Sequence, residues 1–164
     1  MTILPILLCG NKTLREKSLP CAKPYSQYKA LAENMIETMY KAPGIGLAAP
    51  QVGLSIRMFV YDAGKGPQVM INPEILEVSS ETCEYDEGCL SVPEISEIVV
   101  RPAKIKIKGY GVDGYKIEKE IEGIEARVFQ HEYDHLDGIL FIDKISTEAR
   151  QKINSKLKKI SQAK

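Results

Sequence analysis

The sequence has no tryptophan and only two histidines in 164 residues. It also has no apolar run near the ~18 residues needed to cross a bilayer, so a membrane-spanning helix is excluded. The apolar stretch from Ile3 to Leu8 is broken by Pro5 and has no basic flank, so it does not read as a signal peptide. The expectation is a chain that stays in its compartment of synthesis: a bacterial-type cytoplasm, or an organelle if a transit peptide was removed. Neither charge sign is in excess. The 22 basic and 22 acidic side chains cancel, so composition makes no case for nucleic acid or a membrane surface as the main partner. There is no internal repeat, low-complexity segment or long linker. Residues 1–164 are therefore expected to form one domain, and a monomer is expected.

Cysteine is scarce, at four residues. Without a secretory signal, and with a chain long enough to build a core unaided, free thiols are expected rather than disulfides. Cys9, Cys21 and Cys83 read as buried apolar fillers.

Helical spacing of Tyr28, Leu31, Met35, Met39 and Ala42 predicts a helix over Tyr25 to Lys41, ended by Pro43 and Gly44. Strand-like segments follow: Ile56 to Asp62, two short ones at Val69 to Asn72 and Ile75 to Val78 parted by Pro73, then Lys104 to Lys108 and Tyr115 to Ile121. Asp113-Gly114 marks a hairpin turn between the last two. Helical patterning returns from Ile124 to Leu136, with Gly138 as the stop. It returns again from Ser146 to Ile160, with Ser146 as N-cap and Ala149, Ile153, Leu157 and Ile160 as the apolar stripe. Helices at both ends and antiparallel or mixed sheets between them give an α+β fold.

Both histidines fall in His131-Glu132-Tyr133-Asp134-His135. Positions i and i+4 lie ~40° apart around a helix, so both imidazoles can reach one ion. Glu132 lies ~60° from His135, close enough to serve as a general base to water. The histidines continue an apolar stripe of Ile124 and Val128, and buried imidazoles need partners. A third ligand is needed. Phe141 stands where a third histidine would complete a longer zinc-peptidase motif. Glu148 is explained by the first turn of the last helix. Cys89, in Glu87-Gly88-Cys89-Leu90-Ser91 just before a predicted strand, is the remaining candidate. Two rival readings stay open here. One is a zinc peptidase with a third His or Glu ligand. The other is a closed structural metal site in a binding module, with Cys83 as fourth ligand.

Gly44-Ile45-Gly46-Leu47-Ala48-Ala49-Pro50-Gln51 has no lysine and follows a helix, which argues against a phosphate loop. It fits a backbone strip along a groove, or simply a helix-to-strand loop.

These three segments, Gly44 to Gln51, Glu87 to Ser91 and Gln130 to Leu136, together resemble the signature motifs of the peptide deformylase family, in order and at compatible separations. The resemblance implies removal of the formyl group from the amino-terminal methionine of new polypeptides. It implies that Cys89, His131 and His135 bind one divalent metal ion. Ferrous iron is implied as the working ion, with Zn2+, Ni2+ or Co2+ as alternatives. It implies Glu132 as the catalytic carboxylate. Gln51 and the Leu90 N–H would polarise the formyl oxygen, and Ile45, Gly46, Glu87 and Gly88 would line the substrate groove. Arg127 lies near the helix face that family members use for the methionine pocket. Its alternative reading is a stem in the core with its head at the surface. The tail from Ser146 to Lys164 carries Arg150, Lys152, Lys156, Lys158, Lys159 and Lys164 against Glu148 alone. That is either a solvated face or a docking surface for the ribosome.

Overall fold

A computed structural model describes residues 2–162; Lys164 of the basic tail lies outside them. In chain order the elements are α1 (Lys29–Lys41), β1 (Gly46–Ala48), β2 (Met58–Tyr61), β3 (Gln68–Val78), β4 (Thr82–Cys89), β5 (Val92–Pro102), β6 (Lys104–Tyr110), β7 (Lys116–Glu122), α2 (Gly123–Leu136) and α3 (Thr147–Gln162). Five strands form one sheet in the order β1-β2-β3-β6-β7, and β4 and β5 form a separate hairpin. Every pairing between these strands is antiparallel. The one parallel bridge, Leu19 with Ile56, lies outside them. The expected α+β class is what the chain adopts.

The five-stranded sheet has a helix on each face, and strand β2 shows why. Phe59 and Tyr61 pack with Val128, Phe129 and Leu136 of α2. Met58 and Val60 point the other way and pack with Ala32, Met35 and Met39 of α1. Successive strand residues alternate faces, so a strand buried on both sides is apolar throughout. Phe129 is fully buried and meets Phe59 edge-on at 5.0 Å. Truncating it to alanine would cost on the order of 4 kcal/mol. A third cluster joins Val92, Ile95 and Val99 of β5 to Leu140, Phe141, Ile142 and Ile153. Ile153, Leu157 and Ile160 bring α3 onto this cluster.

Several expectations need correction. The first helix begins at Lys29, because Tyr25–Tyr28 form a 3-10 turn after Pro24. Ala42 is exposed rather than part of its buried stripe. The two short strands around Pro73 are one strand, β3. Its register shifts between Ile71 and Glu74, and Asn72 adopts φ 51°. Proline has no N–H for a ladder and is tolerated at such a bulge. The Asn72 amide uses the kink to bond the Cys21 backbone, at 2.8 and 3.1 Å. Cys83 is exposed, not a core filler. The end of α2 and the start of α3 follow the sequence, while α3 runs on past Ile160 to Gln162. Gly138 has φ 73°, and a Cβ there would lie 2.5 Å from the Arg15 carbonyl oxygen. The Ser146 hydroxyl accepts from the Ala149 N–H at 3.1 Å.

Candidate metal centre

Two elements build the site. Helix α2 carries His131, Glu132 and His135 on its buried face. Strand β4 ends at Cys89, which pairs with Val92, so Leu90 and Ser91 form a tight two-residue turn. The donor atoms of Cys89, His131 and His135 all lie within 4.8 Å of one another. Cys89 Sγ is 3.4 Å from His135 Nε2. Among the described residues this is the one group of three or more such donors placed to hold an ion.

Glu132 stands beside them, with Oε2 3.9 Å from His131 Nε2. Its Oε1 is buried without a hydrogen-bond partner among the described residues. Burial pushes its carboxyl up to about 7, with Glu87 and Asp134 adding to the rise and His131 and Arg101 opposing it. Strand β1 crosses directly over it: a Cβ on Gly46 would fall 2.5 Å from Glu132 Oε2. Only glycine allows that approach.

Burial, joined by charge on His131 and Arg101, holds His135 well below its ordinary value, and so neutral. At His131 burial also favours the neutral form, but Glu132, Cys89 and Glu87 outweigh it and raise the ring's proton affinity. One thiolate and two imidazoles are the donors of a divalent transition metal. These residues therefore fit the implied ion.

Glu87 was expected to line the groove. It does border the cavity, yet its carboxylate has other partners. Oε1 accepts from His131 Nδ1 at 2.9 Å and from Arg101 Nη2 at 2.9 Å. Oε2 accepts from Arg101 Nε and from Arg127 Nη1, each at 2.6 Å. Burial raises the Glu87 carboxyl, but Arg101 and His131 outweigh it and hold it well below the usual range. A carboxylate on Nδ1 fixes the tautomer, leaving the Nε2 lone pair for the ion. Arg101, which also bonds Asp134 at 2.8 Å, had no part in the sequence reading. Its signal was the period-2 spacing with buried Val99, which places a charge on an inward face.

Gln51 is buried. Its Nε2 donates to Ser91 Oγ at 3.0 Å and reaches Cys89 Sγ at 3.6 Å. Its Oε1 accepts from the Ala48 N–H at 2.9 Å. A cavity of about 840 Å3 opens above the donors, lined by Ile45, Gly46, Gly88, Leu90, Arg127 and Glu132 among others. The Arg127 head is buried, contrary to the surface reading. Phe141 stacks on His131 with ring centroids 6.1 Å apart, so the position that breaks the zinc-peptidase motif packs against a candidate donor instead. Cys83 is bound up with Arg127, not with the donors. Glu148 is exposed in the first turn of α3. Neither joins the donor group.

Three protein donors, a buried carboxylate and an open groove define a metal-dependent hydrolase. The chain matches the Polypeptide deformylase family over residues 3–151. It is 49% identical over 156 residues to the peptide deformylase of Thermotoga sp. strain RQ2, covering 95% of both chains. It is 44% identical to that of Phenylobacterium zucineum, covering 99% of both. The crystal structure of peptide deformylase from Thermotoga maritima superposes with a TM-score of 0.87 at 50% identity, covering 89% of this chain and 99% of that one. That from Plasmodium falciparum gives 0.92 at 37% identity, covering 96% and 95%. The chain belongs to the peptide deformylase family, whose enzymes act on nascent polypeptides and remove the formyl group in a metal-dependent reaction.

Proposed function

We propose that Cys89, His131 and His135 hold a single divalent ion, Fe2+ in the cell with Zn2+, Ni2+ or Co2+ able to substitute. An ion bound there supplies Lewis acidity to water and to the formyl oxygen. Glu132 does the proton work. It takes a proton from the attacking water and delivers it to the departing amine as the C–N bond breaks. Formate and a free amino terminus leave. A carboxyl raised to about 7 suits this exchange near neutral pH. The Gln51 amide and the Leu90 N–H donate to the formyl oxygen as it gains charge; losing one such donor costs on the order of 3 kcal/mol in the barrier. Gln51 Nε2 already reaches toward the cysteine sulfur, beside the reacting group. Ile45, Gly46 and Gly88 line the peptide groove, and Glu87 serves it from behind His131.

The observation that carries this reading is the convergence of one sulfur and two imidazole nitrogens within 4.8 Å, with Glu132 alongside. The substrate is an N-formylmethionyl nascent chain. Residues 1–164 act as one monomeric catalytic domain in a bacterial-type cytoplasm, and no helix among the described residues is long and apolar enough to cross a membrane. The exposed lysines of α3 dock on the ribosome. Formyl-Met-peptide incubated with the Fe(II) or Ni(II) form should release formate. Glu132→Ala should abolish release while the metal stays bound. Release that survives this substitution, or cleavage of an unformylated peptide at an internal bond, would reject the reading.

A further inference from the structure

Helix α3 carries two separate basic faces. Arg150, Asn154, Leu157, Lys158 and Ser161 recur at i, i+4, i+7, i+8 and i+11, so they share one side of the helix. The exposed Lys152, Lys156 and Lys159 lie roughly 180° away around the wheel. The first side lines a cavity of about 770 Å3, whose other wall includes Lys12 and Arg15 of the 3-10 turn Lys12–Arg15. This cavity shares no lining residue with the one above the metal donors.

Two contacts tie the walls together. Gly10 has φ 100°, and a Cβ there would fall 2.4 Å from Ser161 Cβ. Glycine is what lets α3 come so close. Near the start of α3, the Asp143 carboxylate accepts from both terminal nitrogens of Arg15. It also lies 3.5 Å from Arg150 Nη1, which donates to the Ile142 carbonyl at 2.9 Å. Arg150 and Ser161 are separated by roughly 16 Å of helix, and the cavity runs between them.

Its lining has a division of labour. Cys9, Leu140, Ile142 and Leu157 form an apolar floor that belongs to the third core cluster. The charged residues of the lining are Lys12, Arg15, Arg150 and Lys158; no carboxylate lines it among the described residues. Asp143 offsets one of these four, which leaves three positive charges. Neither Lys12 nor Lys158 has an ion-pair partner among the described residues. Like charges around one cavity repel, and a bound anion relieves that repulsion.

We propose that this cavity is a second ligand site, which takes a small organic phosphate. A phosphate monoester brings about two negative charges near neutral pH, against three uncompensated cations. Its carbon body covers the apolar floor. The volume lies within the roughly 300–1,000 Å3 of small-molecule sites. A nucleic-acid backbone would bring the charge without an apolar body for the floor, and the outward lysine face of α3 suits it better.

The test is calorimetric titration of the nickel-loaded full chain with adenosine 5′-monophosphate and with glucose 6-phosphate, beside adenosine and glucose. Each phosphate should bind once per chain, more weakly as salt is raised. The unphosphorylated partners should bind at least about tenfold more weakly. Lys12→Glu combined with Lys158→Glu should weaken both phosphates at least about tenfold, with metal content, unfolding temperature and deformylation of a short peptide unchanged. Should that double variant fold poorly, Lys158→Gln alone should weaken binding in the same direction. Reversing Lys152, Lys156 and Lys159 should change it by less than about threefold. The inference is overturned if neither phosphate binds, or if binding survives the Lys12 and Lys158 changes. It is also overturned if the outward lysines matter as much, which marks unspecific attraction. Polyuridylate held through Lys12 and Lys158, with neither small phosphate bound, would show an RNA surface instead.

Discussion

Glu87 Oε1 lies 2.9 Å from His131 Nδ1, so a β4 carboxylate sets which nitrogen of an α2 histidine faces the other two candidate donors. The same carboxylate carries two arginines. Glu87→Gln keeps the shape but removes the charge. Metal affinity should fall by about 10- to 100-fold, read by competition with a chelator. Stability should drop on the order of 3 kcal/mol, because buried Arg127 loses its ion pair with Glu87 and Arg101 keeps only the one with Asp134. Wild-type affinity in this variant would show that Glu87 does not orient the ligand.

The cysteines should separate cleanly. Cys89→Ser should lose tight metal binding and activity together, since a hydroxyl replaces the thiolate donor. Cys83→Ser should keep both. Metal loss from Cys83→Ser, measured by elemental analysis after dialysis, would revive a closed four-ligand structural site.

Acid should erase one specific contribution to stability. Burial raises the Asp143 carboxyl, but hydrogen bonds from Arg15 and the Leu140 N–H outweigh it and hold it below its ordinary value. The folded state thus favours the charged form. The resulting stability is present above the unfolded pKa of ~4 and is lost as pH falls through the lower folded value. Arg15→Ala should therefore cost less than about 1 kcal/mol at pH 7, the pair being partly exposed. The gap from wild type should shrink at about pH 2–3. Urea unfolding at the two pH values checks the sign; a gap that widens in acid would contradict it.

Ribosome docking is best probed without truncating α3, because Ile153, Leu157 and Ile160 belong to the core beneath it. Lys152, Lys156 and Lys159 are exposed. Reversing all three to Glu should abolish salt-sensitive co-sedimentation with ribosomes and leave deformylation of a short peptide unchanged. Undiminished co-sedimentation would point to another surface, or to none on this helix.

Local patterns settled much of this molecule. The spacing of His131 and His135 is a property of any α-helix, and so is Glu132's place beside them. Ser146 and Gly138 mark helix ends because capping and left-handed backbone are local chemistry. The apolar stretch around Met58 to Tyr61 and the alternation of Ile105 and Ile107 announced strands for the same reason. What needed the folded chain was everything joining residues far apart in sequence. Pro73 looked like a break until pairing with β6 carried β3 through it as a bulge. Cys89 stood out only moderately by spacing, because nothing local says that a strand end will meet a helix more than 40 residues later. Arg127 and Glu87 read as groove or surface residues, yet the β4–β5 hairpin buries both in one ion network with Arg101. A side chain's period tells which face it takes. Whether that face meets water, apolar core or an opposite charge depends on the packing of the other elements.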